Sequence, residues 1–448
     1  MLFQSSLPQY SVYGSRTNHD MHDNAVNPEN MLDEQTSIVR PKLLWIKADP
    51  LHPLNSGGKI RTYNMMVELK KSYDITFFAL NEVSALAPVK VDEYSDNQVW
   101  VDWKDQKSNK LTFLLSILKN FLFSTKPFVI DRYTNTAIRA ALSAQLESED
   151  YQVVICDFLS LSANLDGIEK QKQVPYVVFQ HNVESRIWER YVINAGNFLS
   201  KFYFTSQWKR YLKYEKDTCS SFDGVIAVSE EDEQSFKQDF GLTNVLGNVP
   251  TGVDIDYFSV YKREPTANSM VFLGSMDWMP NVDGISDFVR NVYPLIKLKT
   301  PDISLTIVGR NPPEKITALG KEDPSITVTG TVDDIRPYLA KAAISVVPLR
   351  IGGGTRIKIF ETMAANLPVV STRIGAEGLP VSHNKDILLA DEAQDFANEV
   401  CRALSEPDLA ANLSKSGYKL VKENYGWNKV TDEFVAMLQS CKQKLSHR

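Results

Sequence analysis

The sequence predicts an α/β protein built from two Rossmann-like β/α/β domains that face an interdomain cleft. Three observations lead there. Short runs rich in Val, Ile and Phe alternate with helix-length segments along most of the chain, which is the pattern of a parallel sheet covered on both faces. The alternation restarts after Lys262. A chain of 448 residues also exceeds one ordinary core, and two domains of roughly 200 residues are the natural division.

Residues 1–40 are rich in Asn, Asp, Ser and Gln without periodicity, and a disordered N-terminal tail is expected there. The first domain, 41–262, opens on the apolar run Lys42–Ala48, read as a buried strand. Asp74–Leu80, Tyr151–Asp157, Val174–Gln180 and Asp223–Ser229 are further strands bounded by polar residues. Helical stretches include Ser56–Lys70 and Glu184–Cys219. The second domain, 263–427, has strands at Ser269–Gly274, Ile303–Gly309, Ser325–Gly330, Ala342–Pro348 and Leu367–Thr372. Its helices include Asn281–Lys297, Asp333–Lys341 and Thr355–Ala365. Open α/β sheets bind ligands beyond the carboxyl ends of their strands, so the cleft between two such sheets is the expected functional site.

Composition narrows the class. Apolar residues make up 43% of the chain, enough for two cores, and the net charge of −6 leaves no electrostatic footprint for nucleic acid. Cys156, Cys219, Cys401 and Cys441 are far apart and form no CxxC pair. They read as free thiols in a reducing compartment, not as a disulfide framework or a zinc site. No apolar run reaches about 18 residues, and the N-terminus lacks the charged-then-apolar order of a signal peptide. A cytoplasmic location is expected, with the inner face of the cell membrane as a peripheral option.

Three motifs carry candidate chemistry. The first, Asn55-Ser-Gly57-Gly58-Lys59-Ile-Arg61, follows the first strand and opens the first helix. Its glycines let backbone approach a phosphate, and the helix N-terminus and Lys59 add positive charge. An ordinary tight turn with a Ser56 cap is the other reading. The second, Gln180-His181-Asn182-Val-Glu184, ends another strand of the same half; His181 either points into the cleft or is a packed, hydrogen-bonded histidine. The third runs from Arg350 through Gly352-Gly353-Gly354-Thr355-Arg356 to Lys358 and Glu361. It turns a strand into a helix in a way that suits a diphosphate, with Arg350, Arg356 and Lys358 to neutralise it. Lys358 and Glu361, three apart, share a helix face. They are either an ordinary surface pair or a site in which Glu361 accepts two ribose hydroxyls.

These residues, with Gly274, Gly309, Val328-Thr-Gly330 and the run Gly354-Thr-Arg-Ile-Lys-Ile-Phe-Glu361-Thr-Met-Ala-Ala-Asn-Leu-Pro-Val-Val370, resemble the retaining glycosyltransferases of family 4, which have the GT-B fold. The likeness covers residues ~42–440 and leans toward bacterial sugar transferases of cell-surface polysaccharide clusters. It implies an acceptor-side first domain and a donor domain for a nucleoside diphosphate sugar. Glu361 is then the ribose ligand, and backbone near Val328–Gly330 holds the base. Gly57 and Gly58 approach the donor phosphates, with His181 near the sugar. Gly274, Ser275, Gly309 and Arg310 line the donor side. Residues 428–448 form a helix crossing back to the first domain. His181, Lys358 and Arg356 are the catalytic candidates, with the leaving phosphate helping to deprotonate the acceptor.

Two departures stand out. Gly353 occupies the position, eight before Glu361, where many members carry a second glutamate. Gly274-Ser-Met-Asp-Trp-Met-Pro-Asn281 replaces the usual Arg…Lys-Gly pair, and Arg356 and Lys358 are expected to take over its cationic work.

Other features read more plainly. Asp254-Ile-Asp256 imitates an Asp-x-Asp metal site but sits where a cap and turn belong; no metal and no cofactor are expected. Lys107–Lys126 is an amphipathic basic segment that either lies on an anionic membrane or packs with a solvated Lys edge. Lys201–Lys216 reads as a packed helix. The expected partners are a nucleotide-sugar donor and a lipid-linked or saccharide acceptor. The rival readings are a nucleotide-sugar epimerase of the same fold and a non-catalytic nucleotide-sugar-binding scaffold.

Overall fold

The computed structural model describes residues 39–54, 56–82, 90–103, 110–193, 195–351 and 357–446. The expected tail, up to residue 38, and the turn Gly352–Arg356 lie outside the described residues. The chain forms two parallel sheets. The first contains β1 (Lys42–Ile46), β2 (Asp74–Glu82), β3 (Asn97–Trp103), β4 (Val153–Asp157), β5 (Tyr176–Phe179), β6 (Gly224–Ala227) and β7 (Val245–Asn248), in the order β3-β2-β1-β4-β5-β6-β7. The second contains β8 (Ser269–Leu273), β9 (Ser304–Val308), β10 (Ile326–Gly330), β11 (Ile344–Val347), β12 (Val369–Ser371) and β13 (Leu388–Leu389), in the order β10-β9-β8-β11-β12-β13. Strand order reverses between β1 and β4 and again between β8 and β11. At such switch points the following loops diverge and leave a crevice.

Burial explains the strands. Every residue of β4, β5, β6 and β11 is buried, because helices cover both faces. Three strands escaped the sequence reading. β3 is a half-exposed edge, β7 has four residues and pairs with β6 through an irregular register before Gly247, and β13 has two residues. The stretch Glu184–Cys219 is two helices, Glu184–Ile193 and Phe198–Ser221. Asn197 separates them by capping the second, its Oδ1 accepting from Ser200 N at 2.8 Å.

The chain divides into two compact units. One comprises Pro41–His52, Gly58–Gly252 and the chain from Trp427 on; the other comprises Pro53–Gly57 and Val253–Gly426. The division thus falls at Gly252/Val253, not after Lys262. The reason is local. Val253 N donates to Tyr425 O at 2.7 Å, and Asp254 Oδ1 caps the helix Ile255–Ser259 through Tyr257 N at 2.9 Å. Phe258 of that helix is buried with residues of the second sheet. Asp254 therefore works as the cap its sequence context suggests.

The last helix, Trp427–Ser446, belongs to the first unit. Trp427, Val430, Phe434, Leu438 and Cys441 form its buried stripe. The Phe434 ring lies 6.0 Å from Trp45 of β1 and 5.2 Å from Phe179 of β5. Gly252 permits the return, since a Cβ there would stand 2.5 Å from the Trp427 ring. Gly252→Ala is therefore expected to cost about 1–3 kcal/mol. A urea melt of the variant measures this, and an unchanged midpoint would show that the ring has room to move.

Candidate active site

The first unit concentrates its polar chemistry at the carboxyl ends of three adjacent strands. Lys47 follows β1, Asp157 ends β4, and His181 follows β5. All three are buried. Asp157 Oδ2 accepts from Lys47 Nζ at 2.8 Å, Trp45 Nε1 at 3.0 Å and Thr62 Oγ1 at 2.6 Å. Its Oδ1 lies 2.9 Å from His181 Nε2, without the alignment of a hydrogen bond. Burial opposes ionisation of Asp157, but Lys47 and His181 beside it hold the carboxyl well below the usual carboxylate range. Burial pushes the His181 imidazole down to about 4 despite the pull of Asp157, so the ring is neutral at pH 7.

The ring is held by packing. His181 lies 4.2 Å from the Phe158 ring and 4.6 Å from that of Phe179. Its Nδ1 has no hydrogen-bond partner among the described residues. A Cβ on Gly58 would come within 3.4 Å of that nitrogen, so glycine keeps the surroundings of Nδ1 open. Phe158 adopts φ 65°, a left-handed conformation that a bulky residue rarely takes outside a functional or strained turn. The turn carrying His181 and Asn182 is fixed from a distance by Glu215. That carboxylate accepts from Glu184 N at 2.8 Å, Ser185 N at 2.9 Å and Gln180 Nε2 at 3.1 Å. It thereby caps the helix Glu184–Ile193.

Gly57 and Lys59 begin the helix Gly57–Leu69, half-buried beside Gly58. Burial lowers the Lys59 ammonium from its ordinary value. Arg61, two residues on, is buried and donates to Thr251 Oγ1.

The second unit brings together Gly274, Ser275, Gly309, Arg310 and Lys358. A Cβ on Gly309 would stand 1.9 Å from Gly274 O, so the ends of β8 and β9 touch through bare backbone. Gly274 N donates to Val308 O at 3.0 Å and Met276 N to Arg310 O at 3.0 Å. Arg310 Nε lies 3.0 Å from Ser275 Oγ and 3.0 Å from Asp277 Oδ2. Its Nη2 is buried without a partner among the described residues. Asn281 completes the line. Its Nδ2 donates to Ser275 O at 2.8 Å, and its Oδ1 accepts from the buried Lys358 Nζ at 2.5 Å. Glu361 is on the same helix as Lys358, Ile357–Ala364. Burial pushes its carboxyl up to about 7, with Lys358 pulling the other way. Val328 and Gly330 end β10, where a bulge and a φ of 71° at Gly330 break the strand.

One expectation is corrected. Arg350 is not a free cation for a diphosphate: Asp283 holds its Nε at 3.0 Å and its Nη2 at 3.1 Å, and Asp287 holds its Nη1 at 2.5 Å. Two carboxylates already neutralise it. Gly353, Gly354, Thr355 and Arg356 lie outside the described residues. Sequence reasoning passed over Lys47, Asp157 and Asn281. The first two left a signal, namely opposite charges at the ends of neighbouring apolar strands. Glu215 left none, because it acts from the middle of a helix more than 30 residues away.

Two all-parallel α/β units, each with its polar cluster at strand carboxyl ends, have the architecture of the GT-B fold. The family model described as Glycosyltransferase Family 4 matches residues 57–257, and that described as Glycosyl transferases group 1 matches 267–406. An uncharacterized 44.6 kDa protein in the cps region of Klebsiella pneumoniae is 22% identical over 415 residues, covering 87% of this chain and 97% of that one. A GDP-mannose-dependent monoacylated α-(1-6)-phosphatidylinositol monomannoside mannosyltransferase of Corynebacterium glutamicum is 24% identical, over 49% of this chain and 62% of that one. The solved sucrose-phosphate synthase of Thermosynechococcus elongatus has the same fold, with a TM-score of 0.63 and 15% identity over 91% of this chain and 100% of that one. The chain belongs to glycosyltransferase family 4 and is a sugar-transferring enzyme.

Removing the Asp157 charge leaves Lys47 buried without its counter-ion. Asp157→Asn is expected to lower stability by about 3–5 kcal/mol, read from chemical denaturation. The carboxyl is depressed in the fold, so its contribution is present above about pH 4 and is lost as pH falls through the folded value. A variant as stable as the parent at pH 7 would refute the electrostatic account.

Proposed function

We propose that the enzyme moves a glycosyl group from a nucleoside diphosphate sugar to a hydroxyl of a lipid-linked or saccharide acceptor, with retention at the anomeric carbon and without a metal or other cofactor. The observation that carries this reading is the line of contacts Lys358–Asn281–Ser275–Arg310. It links two cations to the turn after Gly274, whose backbone touches Gly309. As the bond from the anomeric carbon to the phosphate oxygen breaks, negative charge builds on the diphosphate. Fixed cations and amides then stabilise it with little reorganisation. Arg310, whose Nη2 has no partner among the described residues, and Lys358 supply positive charge that a metal ion otherwise brings. Arg356, Gly353, Gly354 and Thr355 belong to the same proposed donor site, and Glu361 takes the ribose hydroxyls.

The acceptor oxygen attacks the face the diphosphate leaves, and its proton passes to the departing phosphate oxygen. In the first unit, neutral His181 offers Nδ1, beside Gly58, as an acceptor for a sugar hydroxyl; Gly57, Lys59 and Asn182 are assigned to the same proposed donor site. A glycolipid acceptor draws support from the corynebacterial relative, whose name gives a phosphatidylinositol monomannoside as its substrate.

Two measurements test the assignment. Glu361 must be ionised to accept two hydroxyls, and its carboxyl is raised to about 7. Donor affinity is therefore expected to strengthen from about pH 6 to about pH 8, followed by thermal shift with UDP- and GDP-sugars. Glu361→Gln should weaken binding and flatten that dependence. His181→Ala is expected to cut turnover by about a hundredfold with donor affinity nearly unchanged. Normal turnover in both variants would sink the site assignment.

A further inference from the structure

The helix Lys110–Phe123 and the first half of the helix Phe198–Ser221 lie against each other within the first unit, and their polar contacts face inward. Gln207 Nε2 donates to Asn120 Oδ1 at 3.1 Å. Arg210 donates to Asn120 O at 3.0 Å and Phe121 O at 2.8 Å. The Phe121 ring lies 5.9 Å from that of Phe202. The large apolar side chains are left outside. Leu114, Leu118, Leu122, Phe198, Leu199 and Phe202 are all more than half exposed, Phe198 at 80% and Leu199 at 77%. This inverts the arrangement of an ordinary surface helix, and a contiguous apolar patch on that scale marks a contact surface. The stretch Lys201–Lys216 packs through Gln207, Tyr211 and Glu215, while Phe198, Leu199 and Phe202 at the start of the helix stay exposed.

Charge identifies what covers the patch. Residues 111–126 and 191–214 contain Lys119, Lys126, Lys201, Lys209, Arg210 and Lys213 and no Asp or Glu, in a chain with a net charge of −6. We propose that this two-helix face docks on the surface of an anionic phospholipid bilayer, with the Leu and Phe side chains at the acyl boundary and the lysines on headgroup phosphates. A second copy of the chain would bring like charges together across such a face. Insertion is shallow. Lys110–Phe123 has 14 residues, about 21 Å, and no helix among the described residues is long and apolar enough to cross a membrane. The reading does not depend on the donor site, so each can fail alone.

Vesicle sedimentation of the full chain tests it. The protein should pellet with phosphatidylglycerol-containing vesicles, remain in solution with pure phosphatidylcholine vesicles, and be released by salt. Leu118→Gln with Phe202→Gln removes apolar contact, and Lys119→Glu with Lys201→Glu reverses charge. Each pair should weaken vesicle binding by about tenfold or more with an unchanged thermal melt, since these side chains point outward. Undiminished sedimentation of either pair, or equal binding to both vesicle types, would overturn the proposal. So would a lipid-free dimer in ultracentrifugation that the same substitutions dissolve, which would give the face to a second copy.

Discussion

A carboxylate without solvent is tolerated only where its charge is matched, and in the first unit that condition organises everything around it. Asp157 sits at the end of a strand whose five residues are all buried. Its charge survives because Lys47, Trp45 and Thr62 converge on one oxygen while His181 approaches the other. The four partners come from three places in the fold: two from the first strand and its flank, one from the first helix, and one from the turn after the fifth strand. One buried ion thus ties three strand ends to a helix. Such a network adds little net stability over an apolar core, but it imposes one arrangement of those ends, including the placement of the His181 ring.

The second unit meets a different constraint, steric where the first is electrostatic. Gly309 and Gly274 touch through backbone, at a separation no side chain allows. That contact brings Arg310 over the Ser275 turn, and Asn281 then links the turn to Lys358. The Ser275 hydroxyl and the Asp277 carboxylate position Arg310, and the Asn281 amide positions Lys358.

The repeating alternation of apolar and polar segments made the two-sheet fold legible, because strands buried on both faces must read as near-continuous apolar runs. β3 and β7 were not legible for the same reason: a half-exposed edge and a four-residue strand of irregular register do not carry that signature. Within the sites, glycines at strand–helix turns announced themselves, since few other roles place them there. His181 was visible as a rare residue at a strand end. Asp157 was passed over because an acid closing a strand looks like an ordinary boundary. Glu215 is invisible to any local reading, since its importance lies in whose amides it accepts, which only the tertiary fold decides.

Arg350 and Arg310 show how far residue type falls short of role. Both are arginines at the carboxyl ends of strands in the same sheet, and the sequence offers no ground for preferring one. Arg350 forks onto Asp283 and closes on Asp287, so it joins its loop to a helix and arrives neutralised. Arg310 shares one carboxylate, Asp277, and leaves a buried Nη2 without a partner among the described residues. Leaving such a donor without a partner costs free energy. Of the two, Arg310 is the arginine that fits the proposed diphosphate site.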